Sequence, residues 1–272
     1  MTLIEVINEW LFQNHQYNIK ENTLLRYRCS IDNHIIPLIG NRDAETITSR
    51  DLQKLVSDLK NSISFRTKKP LSNSTINNII IILKLMFRYA FEFEIISNNP
   101  ALKIRSFPIK KEEKVKTFTK EEQIKIEKHI EKLQNDEYFC YILVLYTGLR
   151  MGEMQALTWS DVNLTTGIIT VNKTKYHYRD ELGNWVHRLG TPKSDKSNRE
   201  IPIPLFLKEK LRVLKRKRIS KNVIVKNDGS LLDDKLITYR YKKLLKACRI
   251  KYLNFHCLRH TFATRALEKN LI

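Results

Sequence analysis

The chain has 272 residues, 42% hydrophobic and 29% charged, enough for one large globular unit or two modest ones. No apolar run approaches the roughly 20 residues that span a bilayer, and the N-terminus opens on an amphipathic pattern instead of a signal-peptide core, so a cytoplasmic location is expected. Forty-nine Lys and Arg against 29 Asp and Glu leave a formal charge of +20, which points to a polyanionic partner, DNA or RNA.

Residues 1–105 carry 14 basic and 10 acidic side chains, a net +4, so the remaining +16 belongs to residues 106–272. The stronger field lies in the second part. Cys29, Cys140, Cys248 and Cys257 form no C-x-x-C pair or Cys/His set, which argues against a zinc site or a disulfide framework. Cys140 and Cys257 sit in apolar patterns and are expected to be core residues.

Thr2 to Glu5 resembles a capping box, and Ile4, Ile7 and Leu11 follow at helical spacing, predicting a first helix over about 3–14. Asn22 can cap a second, with Leu24, Tyr27, Ile31 and Ile35 on one face and a stop at Pro37 and Gly40. Thr48 to Asp51 opens a third, striped by Leu52, Leu55, Val56 and Leu59. Ser72 to Ser74 introduces a longer fourth, with Ile76, Ile80, Leu83, Phe87 and Phe91 inward, ending before Asn98-Asn99-Pro100. These four helices predict a compact all-α domain over 1–103. From 104 to 117 the pattern fails among Arg105, Lys110, Lys111, Lys114 and Lys116, predicting a basic interdomain linker.

The second domain, 118–272, opens with a capping box at Thr119 and Glu122 and a helix to about Leu133. Tyr138 to Tyr146 is apolar on nearly every side and is expected at the centre of the core. Gly148 stops it, and helical spacing resumes over Met151 to Leu157. Strand signals follow at Ile168 to Val171 and Arg199 to Ile203, with a polar excursion between them that should fold back as a two- or three-stranded sheet. Pro202 and Pro204 confine the last strand to an edge. A basic helix over about 205–218 is either a solvated face or a DNA contact; Asn227 to Gly229 is a turn, and helices follow over 234–248 and 256–268. The fold class is mainly α with a small β-sheet.

Arg150 and Arg259 each stand at the edge of an apolar helical pattern. A phosphodiester approaching an associative transition state gathers charge on its two non-bridging oxygens, and two planar guanidinium forks answer that charge at any relevant pH. His256 lies three positions before Arg259, on the same side of a helix, where a neutral imidazole can take or return a proton. His260 follows His256 by four, but no carboxylate or third ligand accompanies them, so no metal is expected. Lys193, on the way into the last strand, offers an ammonium that could protonate a leaving 5′ oxygen.

Together these residues resemble the tyrosine recombinases of the phage and transposon integrase type. Thr147-Gly148-Leu149-Arg150-Met151-Gly152-Glu153 through Val162 is similar to the family's first arginine box, and His256-Cys257-Leu258-Arg259-His260-Thr261 resembles its H-x-x-R box. Pro192-Lys193 to Ile201-Pro202 matches the hairpin that carries its lysine. The resemblance covers nearly the whole chain and implies a SAM-like core-binding domain plus an α+β catalytic domain, closing round duplex DNA and self-associating on it. It also implies DNA integration by a tyrosine that attacks the scissile phosphate, leaving a 3′-phosphotyrosine, with no metal or nucleotide cofactor. Arg150 and Arg259 would hold the phosphate, His256 would assist proton transfer, and Lys193 would be the general acid, with Lys196 as its rival.

One departure stands out. The family's nucleophile lies a few dozen residues after the H-x-x-R box, whereas the last tyrosine here is Tyr252, upstream of that box. Nucleophilic catalysis needs its nucleophile, so the expectation is a catalytic domain that lacks its last helices and does not cleave DNA as it stands. The alternative is a non-catalytic DNA-binding protein that occupies recombination sites. A type IB topoisomerase-like nicking enzyme would use similar residues but fits the integrase-like boxes less well.

Overall fold

A computed structural model describes residues 1–16, 19, 21–63, 68–109, 115–179, 185–190, 198–217 and 220–269. The chain divides into two compact units, one of Met1–Lys111 with Tyr178–Trp185, the other of Glu112–His177 and Val186–Ile272.

Unit 1 is helical. The Thr2 N–H donates to Glu5 at 2.8 Å and the Glu5 N–H to the Thr2 hydroxyl at 3.4 Å, capping α1 (Leu3–Gln16). Its buried face is Leu3, Val6, Ile7 and Trp10, a small rotation from the expected Ile4–Ile7–Leu11 stripe. α2 (Glu21–His34) ends earlier than expected, and Pro37 sits inside the following turn, α3 (Ile36–Ile39), at a first-turn position where a missing N–H costs nothing. Thr48 and Asp51 cap α4 (Ser49–Asn61), and Ser72 caps α5 (Asn73–Glu92).

Two features of α5 differ from expectation. Its buried stripe runs through Ile76, Ile79, Ile80, Leu83, Met86, Phe87 and Ala90, so Phe91 falls outside it and is 49% exposed. The helix also stops at Glu92: Glu94 takes a left-handed φ of 57°, and the N–H groups of Ile95 and Ile96 fold back to the Ala90 carbonyl at 2.8 and 3.2 Å. The chain from Ile96 to Ile104 then re-enters the core. The buried Asn77 amide donates to the Phe107 carbonyl at 2.9 Å and accepts its N–H at 2.8 Å, so the first residues of the basic 104–117 segment are tied to unit 1.

Unit 2 is built round α7 (Phe139–Thr147), in which every side chain but that of Tyr146 is buried. α6 (Lys120–Leu133), capped by Thr119 and Glu122, precedes it. Gly148, at φ 62°, ends α7 in the left-handed cap that glycine adopts without penalty. α8 (Met151–Ala156) follows. β1 (Val162–Asn163), β2 (Ile168–Val171) and β5 (Arg199–Pro202) form an antiparallel sheet in the order β1-β2-β5, pairing Ile169 with both Val162 and Ile201. β5 lies at the edge, where the missing Pro202 N–H is tolerated. β3 (Thr174–Arg179) and β4 (Trp185–Gly190) make a separate two-stranded sheet. α9 (Leu205–Lys217), α10 (Asp234–Ala247, capped by Asp233) and α11 (His256–Glu268) complete the unit. α11 packs along α7 and α10 along α6. Cys140 and Cys257 are buried in this core.

Candidate phosphate-binding site

The site forms where the end of α7 meets the start of α11. Phe255, buried against the rings of Tyr141 and Tyr241, fixes the point at which α11 begins. The first turn of that helix then presents His256 and Arg259 on one side, while Cys257 and Leu258 go into the core. Arg259 donates to the carbonyl of Gly148, two residues before Arg150. The helix carrying one arginine thereby holds the loop that carries the other.

Glu153 organises the cations. It is 3% exposed and sits in the first turn of α8, where its carboxylate accepts the Arg150 N–H at 2.8 Å and the Arg150 guanidinium at 2.7 Å. From β5, Arg199 donates to both oxygens of the same carboxylate, at 3.2 and 2.7 Å. Burial alone would raise the Glu153 pKa, but the hydrogen bonds from Arg199 and Arg150 more than offset it and hold the carboxyl at about 2.

Burial lowers the Arg259 pKa, with Arg150 and Arg199 adding to the shift and Glu153 opposing it. Burial likewise lowers that of His256, helped by His260, Arg259 and Arg150. Arg150, Arg259 and His256 therefore share one charge environment. The His260 ring stands edge-on to His256, 4.6 Å between centroids. Three guanidinium groups, one compensating carboxylate and a neutral imidazole make a surface with surplus positive charge, half-exposed at Arg150, suited to one phosphate.

Arg150, His256 and Arg259, anticipated from the sequence, are thus brought together. Lys193 and its rival Lys196 lie outside the described residues. Of two lysines nearer the hairpin base, Lys173 pairs with Asp161 at 2.7 Å, whereas Lys175 is buried with no hydrogen-bond partner for its ammonium among the described residues, its pKa lowered by burial against the pull of Asp234 and Asp233. The sequence reading missed the joint roles of Glu153 and Arg199. Glu153 carried a signal in its helical spacing from Arg150, but nothing local ties either residue to Arg199, 46 positions on. Among the described residues no group of three or more His, Cys, Asp or Glu could hold a metal ion, and no helix is long and apolar enough to cross a membrane.

This helical unit followed by an α+β unit with paired arginines and a histidine is the architecture of a tyrosine recombinase. The profile described as the phage integrase family matches residues 116–271; two SAM-like N-terminal profiles of phage integrases match residues 2–60 and 45–105. The chain belongs to the phage integrase family. It is 27% identical to a tyrosine recombinase XerC-like protein of Caldanaerobacter subterraneus subsp. tengcongensis, across 100% of this chain and 73% of that one. The ICEBs1 integrase of Bacillus subtilis is 29% identical across 57% of this chain and 40% of its own length. Among solved structures, the Tn1549 transposon integrase in complex with a circular intermediate DNA aligns with a TM-score of 0.76 at 20% identity, covering 99% of this chain and 87% of that one. A lambda integrase dimer bound to a COC′ core site aligns with a TM-score of 0.72 at 20% identity, covering 99% and 91%.

Proposed function

We propose that the chain binds duplex DNA as a site-specific recombinase of the integrase type, in the cytoplasm and self-associating on its target. Residues 1–103 serve as the core-binding half and 118–272 as the catalytic half, joined in sequence by the 104–117 segment, whose basic side chains suit a phosphate backbone. Arg150 and Arg259 hold the non-bridging oxygens of the scissile phosphate, His256 moves a proton, and Lys193 or Lys196 protonates the leaving 5′ oxygen. The observation that carries this reading is geometric: His256 and Arg259 share the first turn of α11, and Arg259 bonds the Gly148 carbonyl, two residues before the Arg150 that Glu153 holds. The DNA-bound state of the Tn1549 and lambda integrases supports it. An electrostatic clamp of this kind is worth on the order of 10² to 10³ in rate.

The test is binding to a short mixed-sequence duplex across a salt series. Affinity should fall steeply and linearly on logarithmic axes as counterions are released, and Arg150→Ala or Arg259→Ala should each flatten the slope by about one while leaving much of the affinity. Binding insensitive to salt would overturn the reading.

A further inference from the structure

Glu153 faces two arginines that meet it differently. Arg199 spans both carboxylate oxygens with its two terminal nitrogens, at 3.2 and 2.7 Å, in the fork-to-fork geometry that arginine and carboxylate favour. Arg150 brings a single guanidinium nitrogen to one oxygen, at 2.7 Å, and its backbone N–H takes up the other at 2.8 Å. The Arg150 side chain is 50% exposed, and among the described residues Glu153 is the partner that holds it. Arg199 stands on β5, where pairing of its backbone with Val171 fixes the direction from which its fork arrives.

We infer that Arg199 is a positioning residue for the phosphate clamp: by occupying both oxygens of Glu153 it stops that carboxylate from closing a two-point fork on Arg150, and so leaves the rest of the Arg150 guanidinium open to a phosphate. This rests on the clamp reading above and assigns a role within it. A buried carboxylate stripped of Arg199 keeps its charge and, of the guanidinium groups hydrogen-bonded to it among the described residues, has that of Arg150 left, so it turns fully on Arg150. The anion site then loses a donor set as well as a charge.

The two losses separate by substitution, using the full chain and inorganic phosphate as the probe, with binding followed through the arginine Nε–Hε resonances. Arg199→Gln should weaken phosphate binding about tenfold, the order of one charge-assisted contact. Arg199→Lys preserves the charge but cannot span both oxygens, so it should fall between that variant and the unsubstituted chain. Glu153→Gln added to Arg199→Gln gives the site the same net charge as the original and removes the captor, and should restore affinity to within about twofold. Arg199→Lys binding as the unsubstituted chain does would overturn the inference, as would a double variant no better than Arg199→Gln, which would mean that Arg199 touches the phosphate itself. The clamp has its own control: if Arg150→Ala binds phosphate undiminished, the clamp reading fails whatever the Arg199 series shows. Retained helical circular dichroism in Arg199→Lys keeps the test clear of misfolding.

Discussion

The ring of Phe262 lies so close to the α-carbon of Gly148 that a β-carbon added there would be driven into it. Phe262 follows Arg259 by one helical turn, and Arg259 donates to the Gly148 carbonyl, so α11 holds the Arg150 loop through one apolar and one polar contact. Gly148 also takes φ 62°, where any other residue is strained. Gly148→Ala should therefore cost about 2 to 4 kcal/mol, from overpacking and backbone strain together. A urea denaturation midpoint unchanged from the parent chain would show that the seat is not as tight as described.

Glu153 yields a prediction in acid. Its folded pKa, about 2, lies below its ordinary 4.5, so the unfolded chain binds the proton more readily in that interval. The stability it contributes is complete above the ordinary value and is lost as pH falls toward 2. Glu153→Gln should remove that part of the acid slope and, by leaving two arginines without their carboxylate, cost about 3 to 5 kcal/mol at neutral pH. Urea unfolding at a series of pH values checks both; a variant with the same acid slope as the parent would remove Glu153 from the account.

How much of this was legible beforehand depended on the range of each interaction. The caps at Thr48, Thr119 and Asp233 are local, since a side chain meets an N–H three residues on, and the helices they open begin where the sequence places them. Phe91 deceived because it sits fifteen positions from Ile76: apolar spacing that holds over two turns has drifted off the buried stripe by the fourth. β1 is two residues long, too short for any period to register. Arg150, His256 and Arg259 could be read from their residue types and the helix edges beside them. Glu153 and Arg199 meet only because β5 returns to the start of α8, and Asn77 finds Phe107 only because the chain doubles back after Glu94.

Thr261 anchors the segment that leads into unit 2. Its buried hydroxyl accepts the Phe118 N–H at 3.0 Å and donates to the Cys257 carbonyl at 2.8 Å, while Arg265 donates to the Phe118 carbonyl at 2.9 Å. Thr261→Val keeps the shape and strands the Phe118 N–H, a loss of about 1 to 3 kcal/mol. Thr261→Ser keeps the hydroxyl and should lose less than half of that. Equal destabilisation by the two variants in thermal unfolding would mean that the methyl group, not the hydrogen bond, is what matters.

His256 provides the last test, because its role requires a neutral imidazole at neutral pH. Burial, then His260, Arg259 and Arg150, all disfavour its proton, so its folded pKa lies below the ordinary 6.5. A group that protonates less readily when folded stabilises the fold fully above its ordinary pKa, and that contribution is lost as pH falls through 6.5 toward the folded value. In an imidazole carbon–proton NMR titration, the resonance missing from His256→Gln should move at a midpoint below 6.5. Arg259→Gln should bring that midpoint up, since it takes away a neighbouring positive charge, and His260→Ala should do so by removing the ring beside it. A midpoint at or above the ordinary value in the parent chain would mean that His256 is protonated too readily for the part assigned to it.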